Sequence, residues 1–224
     1  MEKIIRPLSL IIGDDGECID TLIQVHSSYH QEYILDATAN QCVMWKKSVY
    51  KPHIRLDIDV NQTPSVCGNY DSLPFKNDSF TLIAFDPPHL PNTGDSENSS
   101  KIFKKRYGIN QQNPYGHADN IVSGFEPFLI EAKRVLKPHG LILAKIADII
   151  HNHRYQFQHV DFINAAQRLG LTVCDLMIKS APQAGRLNSS KWENVYHLRK
   201  NHVYWIAIRN SNRCERLKNK LYLE

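Results

Sequence analysis

The chain has 224 residues, of which 42% are apolar and 22% are charged, a composition typical of a globular protein with a complete core. The formal net charge of +4 permits a polyanionic partner without requiring one. The five cysteines are scattered without any Cys-x-x-Cys pair, which argues against a disulfide framework or a metal site and predicts a reducing, cytoplasmic environment. No apolar run reaches membrane-spanning length, so we expect no membrane segment.

The amino-terminal part of the chain predicts short strands separated by turns and helical segments. Apolar or alternating runs predict strands, with their turns, at residues 8–12, 33–40, 53–59 and 65–67. Helical spacing of apolar residues predicts a helix over 18–25, and another helix begins near residue 44.

Two of these strands end in acidic residues. Asp36 is followed by small residues, which let the backbone approach a ligand closely, and the strand at 53–59 ends with Asp57 and Asp59. In open α/β sheets, ligands bind at the carboxyl ends of the strands, where an acid can accept hydrogen bonds from ribose hydroxyl groups. We expect Asp57 to take that role ahead of Asp59.

The most informative stretch is the apolar run at 80–85 and the four residues after it. The run predicts a buried strand of a parallel sheet. Asp86-Pro87-Pro88-His89 follows, and because neither proline can donate a hydrogen bond and each fixes its own φ, the chain must leave the sheet in a stiff shape. A carboxylate, a carbonyl and an aromatic ring thus meet at the ligand-binding edge. An ordinary strand exit, with Asp86 capping a turn, is the alternative.

Two long polar stretches, 91–115 and 180–200, carry basic and aromatic residues. A loop of such length in a compact domain is usually functional or disordered, and the first one directly follows the Asp-Pro-Pro turn. Cations would contact phosphates while rings stack on bases, although a solvated polar face is the common meaning of such runs. The predicted nucleic-acid contacts are Lys101, Lys104, Lys105, Arg106, Tyr107, Arg186 and Trp192.

The carboxyl-terminal half predicts a regular alternation of helices and strands. The segments are a helix at 125–136, a strand at 141–145, a polar loop at 146–158, a helix at 160–169, and strands at 171–178 and 202–208. The element order predicts one domain over residues 1–224: a Rossmann-like, doubly wound sheet of about seven mostly parallel strands, with the last strand antiparallel.

The order Asp86-Pro87-Pro88-His89 resembles the Asp-Pro-Pro-Tyr/Phe/Trp signature of the amino-methyltransferases, which methylate exocyclic amines of adenine or cytosine with S-adenosylmethionine. The resemblance covers residues 33–208 and is best to the DNA N4-cytosine/N6-adenine methyltransferases of class I. Asp36–Cys42 is similar to their Asp-x-Phe/Thr-x-Gly-x-Gly motif, with Asn40 and Cys42 in place of the glycines. Other similar segments are Asp71-Ser72-Leu73-Pro74-Phe75 and Arg134–Gly140, in which His139 replaces the first glycine of Lys-Pro-Gly-Gly.

The resemblance implies a set of cofactor-binding residues for S-adenosylmethionine. Asp71 would meet the exocyclic amine of its adenine, with Leu73 against the ring unless Leu73 is plain core. The full implied set is Asp36, Thr38, Asn40, Asp57, Asp71 and Leu73. Since related enzymes often use a segment before the first strand in the cofactor pocket, the helix at 18–25 either covers a flank of the sheet or contributes to that pocket.

The implied catalytic residues are Asp86, Pro87, Pro88 and His89. Asp86 and the Pro87 carbonyl would accept hydrogen bonds from the substrate amine, and the His89 ring would hold the base after it leaves its stack. The implied function is methylation of a nucleobase amine, adenine N6 ahead of cytosine N4, in DNA.

Three alternatives remain open from the sequence. The substrate could be RNA, because RNA amino-methyltransferases share Asp/Asn-Pro-Pro-aromatic turns. The absent glycines at 40 and 42 would also fit a nucleic-acid-binding module that has lost catalysis. A small-molecule methyltransferase fits less well with the basic loops.

Overall fold

Short apolar strands form one main sheet, and amphipathic helices cover both of its faces. The computed structural model of the protein describes residues 7–29, 31–88, 122–151, 154–180, 197–198 and 200–211. The helices are α1 (Asp15–His26), α2 (Phe125–Val135) and α3 (Gln158–Arg168). The strands are β1 (Leu10–Ile12), β2 (Ile34–Asp36), β3 (Ile54–Asp57), β4 (Val66–Cys67), β5 (Phe80–Phe85), β6 (Leu136–Ile146), β7 (Ile149–His151), β8 (Arg154–Gln156), β9 (Thr172–Ser180) and β10 (His202–Arg209).

The main sheet has eight strands among the described residues, in the order β1-β9-β10-β6-β5-β2-β3-β4. Strands β2 to β6 pair in parallel, and β10 lies antiparallel to both β6 and β9. The predicted Rossmann-like, doubly wound fold with an antiparallel last strand is therefore confirmed. The eighth strand is β1, which adds to the edge beside β9 in parallel.

Two apolar cores form, one on each face of the sheet. On one face, α2 and α3 pack on side chains such as Phe85 and Ile142. On the other, α1 and the 3-10 turn Val43–Trp45 pack on Leu82, Ala84 and Leu143. Every residue of β5 is buried, as a central parallel strand requires. Within the described residues, no helix has the length and apolar character needed to cross a bilayer.

Four segments differ from the sequence prediction. The helix expected to begin near residue 44 is only the three-residue 3-10 turn Val43–Trp45. The residues predicted as a polar loop at 146–158 contain the short antiparallel hairpin β7–β8, whose strands are too short to give a periodic signal. Helix α1 begins three residues earlier than predicted, because the Asp14 carboxylate accepts the Glu17 N–H at 3.1 Å and caps it. Strand β6 begins directly after α2, although the sequence predicted its start at residue 141.

Candidate active site

The carboxyl ends of the parallel strands bring three predicted acids to one edge of the sheet. Asp36 ends β2, Asp57 ends β3, and Asp86 follows β5, which lies beside β2. Since β2 pairs with both β3 and β5, the three carboxylates belong to adjacent strands. This is the edge at which open α/β sheets bind ligands.

Asp36 is completely buried and organises the turn that follows it. Its carboxylate accepts hydrogen bonds from Trp45 Nε1 at 2.7 Å and from the Thr38 N–H at 3.1 Å. Burial raises the pKa of Asp36 to about 7 against the opposing effect of these bonds, and the nearby charges of Asp86 and Asp57 raise it further. Asp36 thus fixes the turn after β2, and its charged form is repelled by Asp57 and Asp86.

The two positions at which the methyltransferase motif has glycine keep a glycine-like backbone. Asn40 has φ 41° and Cys42 has φ 53°, both in the left-handed region that favours glycine. The Asn40 N–H donates to Asp57 Oδ2 at 2.7 Å, and the Cys42 N–H donates to the Ala39 carbonyl at 2.7 Å. The shape of the turn therefore survives the substitutions.

The two acids after β3 differ in how their oxygens are used. Asp59 accepts the Asn61 N–H at 3.0 Å and the Gln62 amide at 3.1 Å, so it caps its own 3-10 turn. Asp57 accepts the Asp59 N–H at 2.9 Å through Oδ1, and its Oδ2 faces the β2 turn, where it accepts the Asn40 N–H. This geometry favours Asp57 as the acid available to a ligand lying over that turn.

The segment Leu73–Phe75 is held from α2 by an ion pair that the sequence did not predict. Arg134 donates to the Leu73 carbonyl at 2.9 Å and to the Phe75 carbonyl at 2.8 Å, while Glu131 accepts the Leu73 N–H at 2.9 Å. Arg134 and Glu131 lie 2.7 Å apart, and their hydrogen bond lowers the pKa of Glu131. Leu73 is buried in the core, and Asp71 is half-buried just before it.

Asp86 lies against the β2 turn rather than apart from it. Its backbone N–H donates to Thr38 Oγ1 at 2.7 Å, which ties the Asp-Pro-Pro turn to the predicted cofactor turn. Its side chain is 25% exposed, and its Oδ2 lies 3.1 Å from Lys145 Nζ. Pro87 is buried and Pro88 is half-buried.

Lys145 belongs to a buried network of charges that the sequence did not predict. Besides Asp86, it contacts Asp15 Oδ2 at 3.1 Å, and Lys179 contacts Asp15 Oδ1 at 2.7 Å. Trp205 Nε1 donates to the same Asp15 oxygen at 3.3 Å. Burial lowers the pKa of Lys145, but Asp86 and Asp15 outweigh it and hold that pKa above its usual value.

Helix α1 therefore contributes to the edge as well as covering the sheet. It starts just after the carboxyl end of β1, and this places Asp15 at the same edge as Asp86. The sequence signal that could have revealed this network is a lysine near the carboxyl end of each of two strands, β6 and β9. A lysine buried at such a position needs an acidic partner.

His89 lies outside the described residues. The same holds for every predicted nucleic-acid contact: Lys101, Lys104, Lys105, Arg106, Tyr107, Arg186 and Trp192.

No protein-family model and no curated protein matches the chain, but solved structures do. A proposed methyltransferase from Bacillus halodurans aligns with a TM-score of 0.53 at 12% identity, covering 88% of this chain and 100% of that one. An S-adenosylmethionine-dependent methyltransferase from Leishmania major gives 0.52 at 11% identity, covering 87% and 71%. The fold is thus that of the class I methyltransferases.

A proposed DNA modification methylase from Thermus thermophilus, solved with S-adenosyl-L-methionine, is also similar, at 14% identity. The alignment covers 65% of this chain, and the chain spans about half (51%) of that methylase. Its TM-score of 0.40 is too low to carry an argument about substrate.

Proposed function

We propose that the protein is an S-adenosylmethionine-dependent methyltransferase acting on an exocyclic amine of a nucleobase, adenine N6 ahead of cytosine N4, in DNA. One observation carries the proposal: the bond from the Asp86 N–H to Thr38 Oγ1, 2.7 Å long, holds the acid of the Asp-Pro-Pro turn beside the turn expected to bind the cofactor. A methyl donor and a substrate amine would meet at that junction.

The charges at this edge fit the cofactor. Burial raises the pKa of Asp36 most, the charges of Asp86 and Asp57 raise it further, and a cation placed among the three acids would relieve that repulsion. S-adenosylmethionine supplies such a cation, a sulfonium that carries a transferable methyl group. Asp57 would accept hydrogen bonds from the ribose, Asp71 would meet the adenine amine, and the left-handed turn at Asn40 would lie beneath.

The chain's own groups would activate the substrate amine. The lone pair of an arylamine is delocalised into the ring, so the amine is a weak nucleophile. If Asp86 and the Pro87 carbonyl each accept one amine hydrogen, the lone pair localises on nitrogen and points in a fixed direction. A carboxylate offers several acceptor sites, so Asp86 can hold Lys145 and the amine together. After transfer, the alkylated nitrogen must lose a proton, which the ionised Asp86 can accept.

Lys145 would position Asp86 for this task. Its ammonium, 15% exposed, fixes one carboxylate oxygen and favours the ionised form, which accepts hydrogen bonds and cannot donate them. Asp15 in turn fixes Lys145 from α1. The retained left-handed turn at residues 40 and 42 supports an active enzyme over a binding module without catalysis.

The test is incubation of the protein with labelled cofactor and a mixture of DNA and RNA, followed by digestion and nucleoside mass analysis. We expect N6-methyladenine from the DNA fraction, and no labelled nucleoside from an Asp86→Asn variant. Label in RNA alone would overturn the DNA assignment, and label in neither polymer with cofactor binding intact would overturn the proposed activity.

A further inference from the structure

A continuous chain of aromatic rings lies on the described surface beyond the candidate active site. The Tyr155 and Phe157 ring centroids are 4.4 Å apart, and Phe157 is 6.5 Å from His159. His159 stacks on Tyr204 at 3.9 Å with an interplanar angle of 17°, and Tyr204 meets His202 edge-on at 5.3 Å. We call these five residues the aromatic cluster.

The aromatic cluster sits at the same edge of the sheet as Asp86. It is built from the β8 strand, the start of α3 and the start of β10. Tyr204 pairs with Ile146, the residue after Lys145, and Lys145 contacts Asp86. A polymer bound at Asp86 could therefore extend over these rings.

A buried acid holds the cluster in place. Asp148 is 5% exposed, and its Oδ1 lies 2.7 Å from His159 Nδ1 and 3.2 Å from the His159 backbone nitrogen. The Tyr155 hydroxyl donates to its Oδ2 at 3.3 Å. Although these bonds fix the rings, Tyr155 remains 38% exposed and Phe157 remains 54% exposed. A contiguous patch of exposed aromatic rings marks an interaction surface.

The charges around the rings favour an anionic partner. The Lys200 ammonium is buried, lies 3.1 Å from the centroid of the Tyr155 ring and has no hydrogen-bond partner among the described residues. Burial lowers the pKa of Lys200, with Asp148 opposing the shift. A nearby anion would relieve this cost, and the exposed Arg154 adds a second cation to the same hairpin.

We propose that the aromatic cluster, with Lys200, binds the unpaired bases and phosphates of a single-stranded polynucleotide. Flat rings bind any base by its face, and a duplex keeps those faces covered. A phosphate would meet the exposed Arg154, and the buried Lys200 ammonium would add its charge beside the Tyr155 ring. This inference rests on the proposed function, because it extends the nucleic-acid substrate away from Asp86, but it is measured by binding and not by methyl transfer.

The test is fluorescence anisotropy of labelled single-stranded DNA, single-stranded RNA and duplex DNA with the full chain. Phe157→Ala should weaken single-strand binding roughly 5- to 100-fold, the loss that corresponds to one stacked base. Phe157→Tyr should retain binding, because it keeps the ring. The matched control is Ile130→Ala, which removes an apolar side chain that is 50% exposed on α2. Lys200→Gln should reduce the salt dependence of binding by about one phosphate contact.

The possible outcomes distinguish polynucleotide binding by the aromatic cluster from methyl transfer at Asp86. Equal binding by the wild type, Phe157→Ala and Ile130→Ala, or no binding of any polynucleotide, would overturn this inference. Weakened binding with no methyl transfer by the wild type would leave the aromatic cluster standing and overturn the proposed function. Preference between the DNA and RNA single strands identifies the polymer, and stronger duplex than single-strand binding would contradict base stacking.

Discussion

Removing the cation of Lys145 should disable Asp86 without dismantling the cofactor turn. The Lys145→Met variant keeps a long side chain but leaves the carboxylate of Asp86 without its ion-pair partner at 3.1 Å. Asp15 is affected less, because Lys179 still lies 2.7 Å from it.

The expected size follows from burial. Losing one member of a buried ion pair costs roughly 3–5 kcal/mol. Asp86 is 25% exposed, and water can compensate in part, so we expect about 2–3 kcal/mol. For a chain of this length, that corresponds to a fall in Tm of about 5–10 °C. Because Asp86 would take up a proton more readily without Lys145, the acid limb of the pH–rate profile should move to higher pH.

The assay is single-turnover methyl transfer across a pH series, together with thermal unfolding. Lys179→Met is the matched control: it removes a cation of equal burial whose ion pair among the described residues is with Asp15 and not Asp86, so it should lower Tm while leaving the acid limb in place. If Lys145→Met and Lys179→Met shifted the profile equally, or neither did, Lys145 would have no special relation to Asp86.

Three further predictions concern the left-handed residues Cys42 and His139, the buried acid Asp36, and Arg134 of α2, which holds the Leu73 and Phe75 carbonyls. Cys42→Gly and His139→Gly, at φ 53° and 63°, should each raise the free energy of unfolding by roughly 1 kcal/mol in urea titrations, since both residues hold a left-handed conformation; a loss of stability would contradict this reading. Asp36 has a pKa of about 7 in the folded state against 3.8 ordinarily, so its stabilising contribution is complete below pH 3.8 and is lost as the pH rises through about 7. Asp36→Asn should therefore flatten the decline of the urea midpoint over that range, and an unchanged decline would refute the assignment. Arg134→Met should weaken cofactor binding measured by calorimetry, because it frees the Leu73 and Phe75 carbonyls, while single-turnover transfer at saturating cofactor should stay near the wild-type rate.

The sequence predicts those parts of the fold that depend on local periodicity. The continuous apolar run of β5 and the helical spacing in α2 each dictate one type of element, and both appear at nearly the predicted bounds. The hairpin β7–β8 could not be predicted in this way, because strands of three residues each are too short to show a period.

The candidate active site is likewise predictable from the sequence only in part. Acids at strand ends are visible in a sequence, since the end of an apolar run locates the edge of the sheet. The partners of those acids are not, because Lys145 meets Asp15 across 130 residues and Arg134 meets Leu73 across 61. Such contacts follow from the strand order, which places β1 and β6 on the same sheet through β9 and β10.

The left-handed turns show how a motif can lose its usual residues and keep its shape. At residue 139, the backbone N–H donates to the Asn210 carbonyl at 3.0 Å, and Arg209 donates to the His139 carbonyl at 3.2 Å. Bonds to β10 and the residue after it hold a conformation that glycine would adopt at lower cost. A sequence search that requires glycine at these positions would therefore miss both Cys42 and His139.

The most direct measurement of the central claim is the single-turnover rate of methyl transfer by Asp86→Asn, compared with its affinity for S-adenosylmethionine in calorimetry. If Asp86 presents an acceptor to the substrate amine, the rate should fall at least about 100-fold while cofactor affinity stays nearly unchanged. An unchanged rate, or an equal loss of rate and cofactor affinity, would contradict that role.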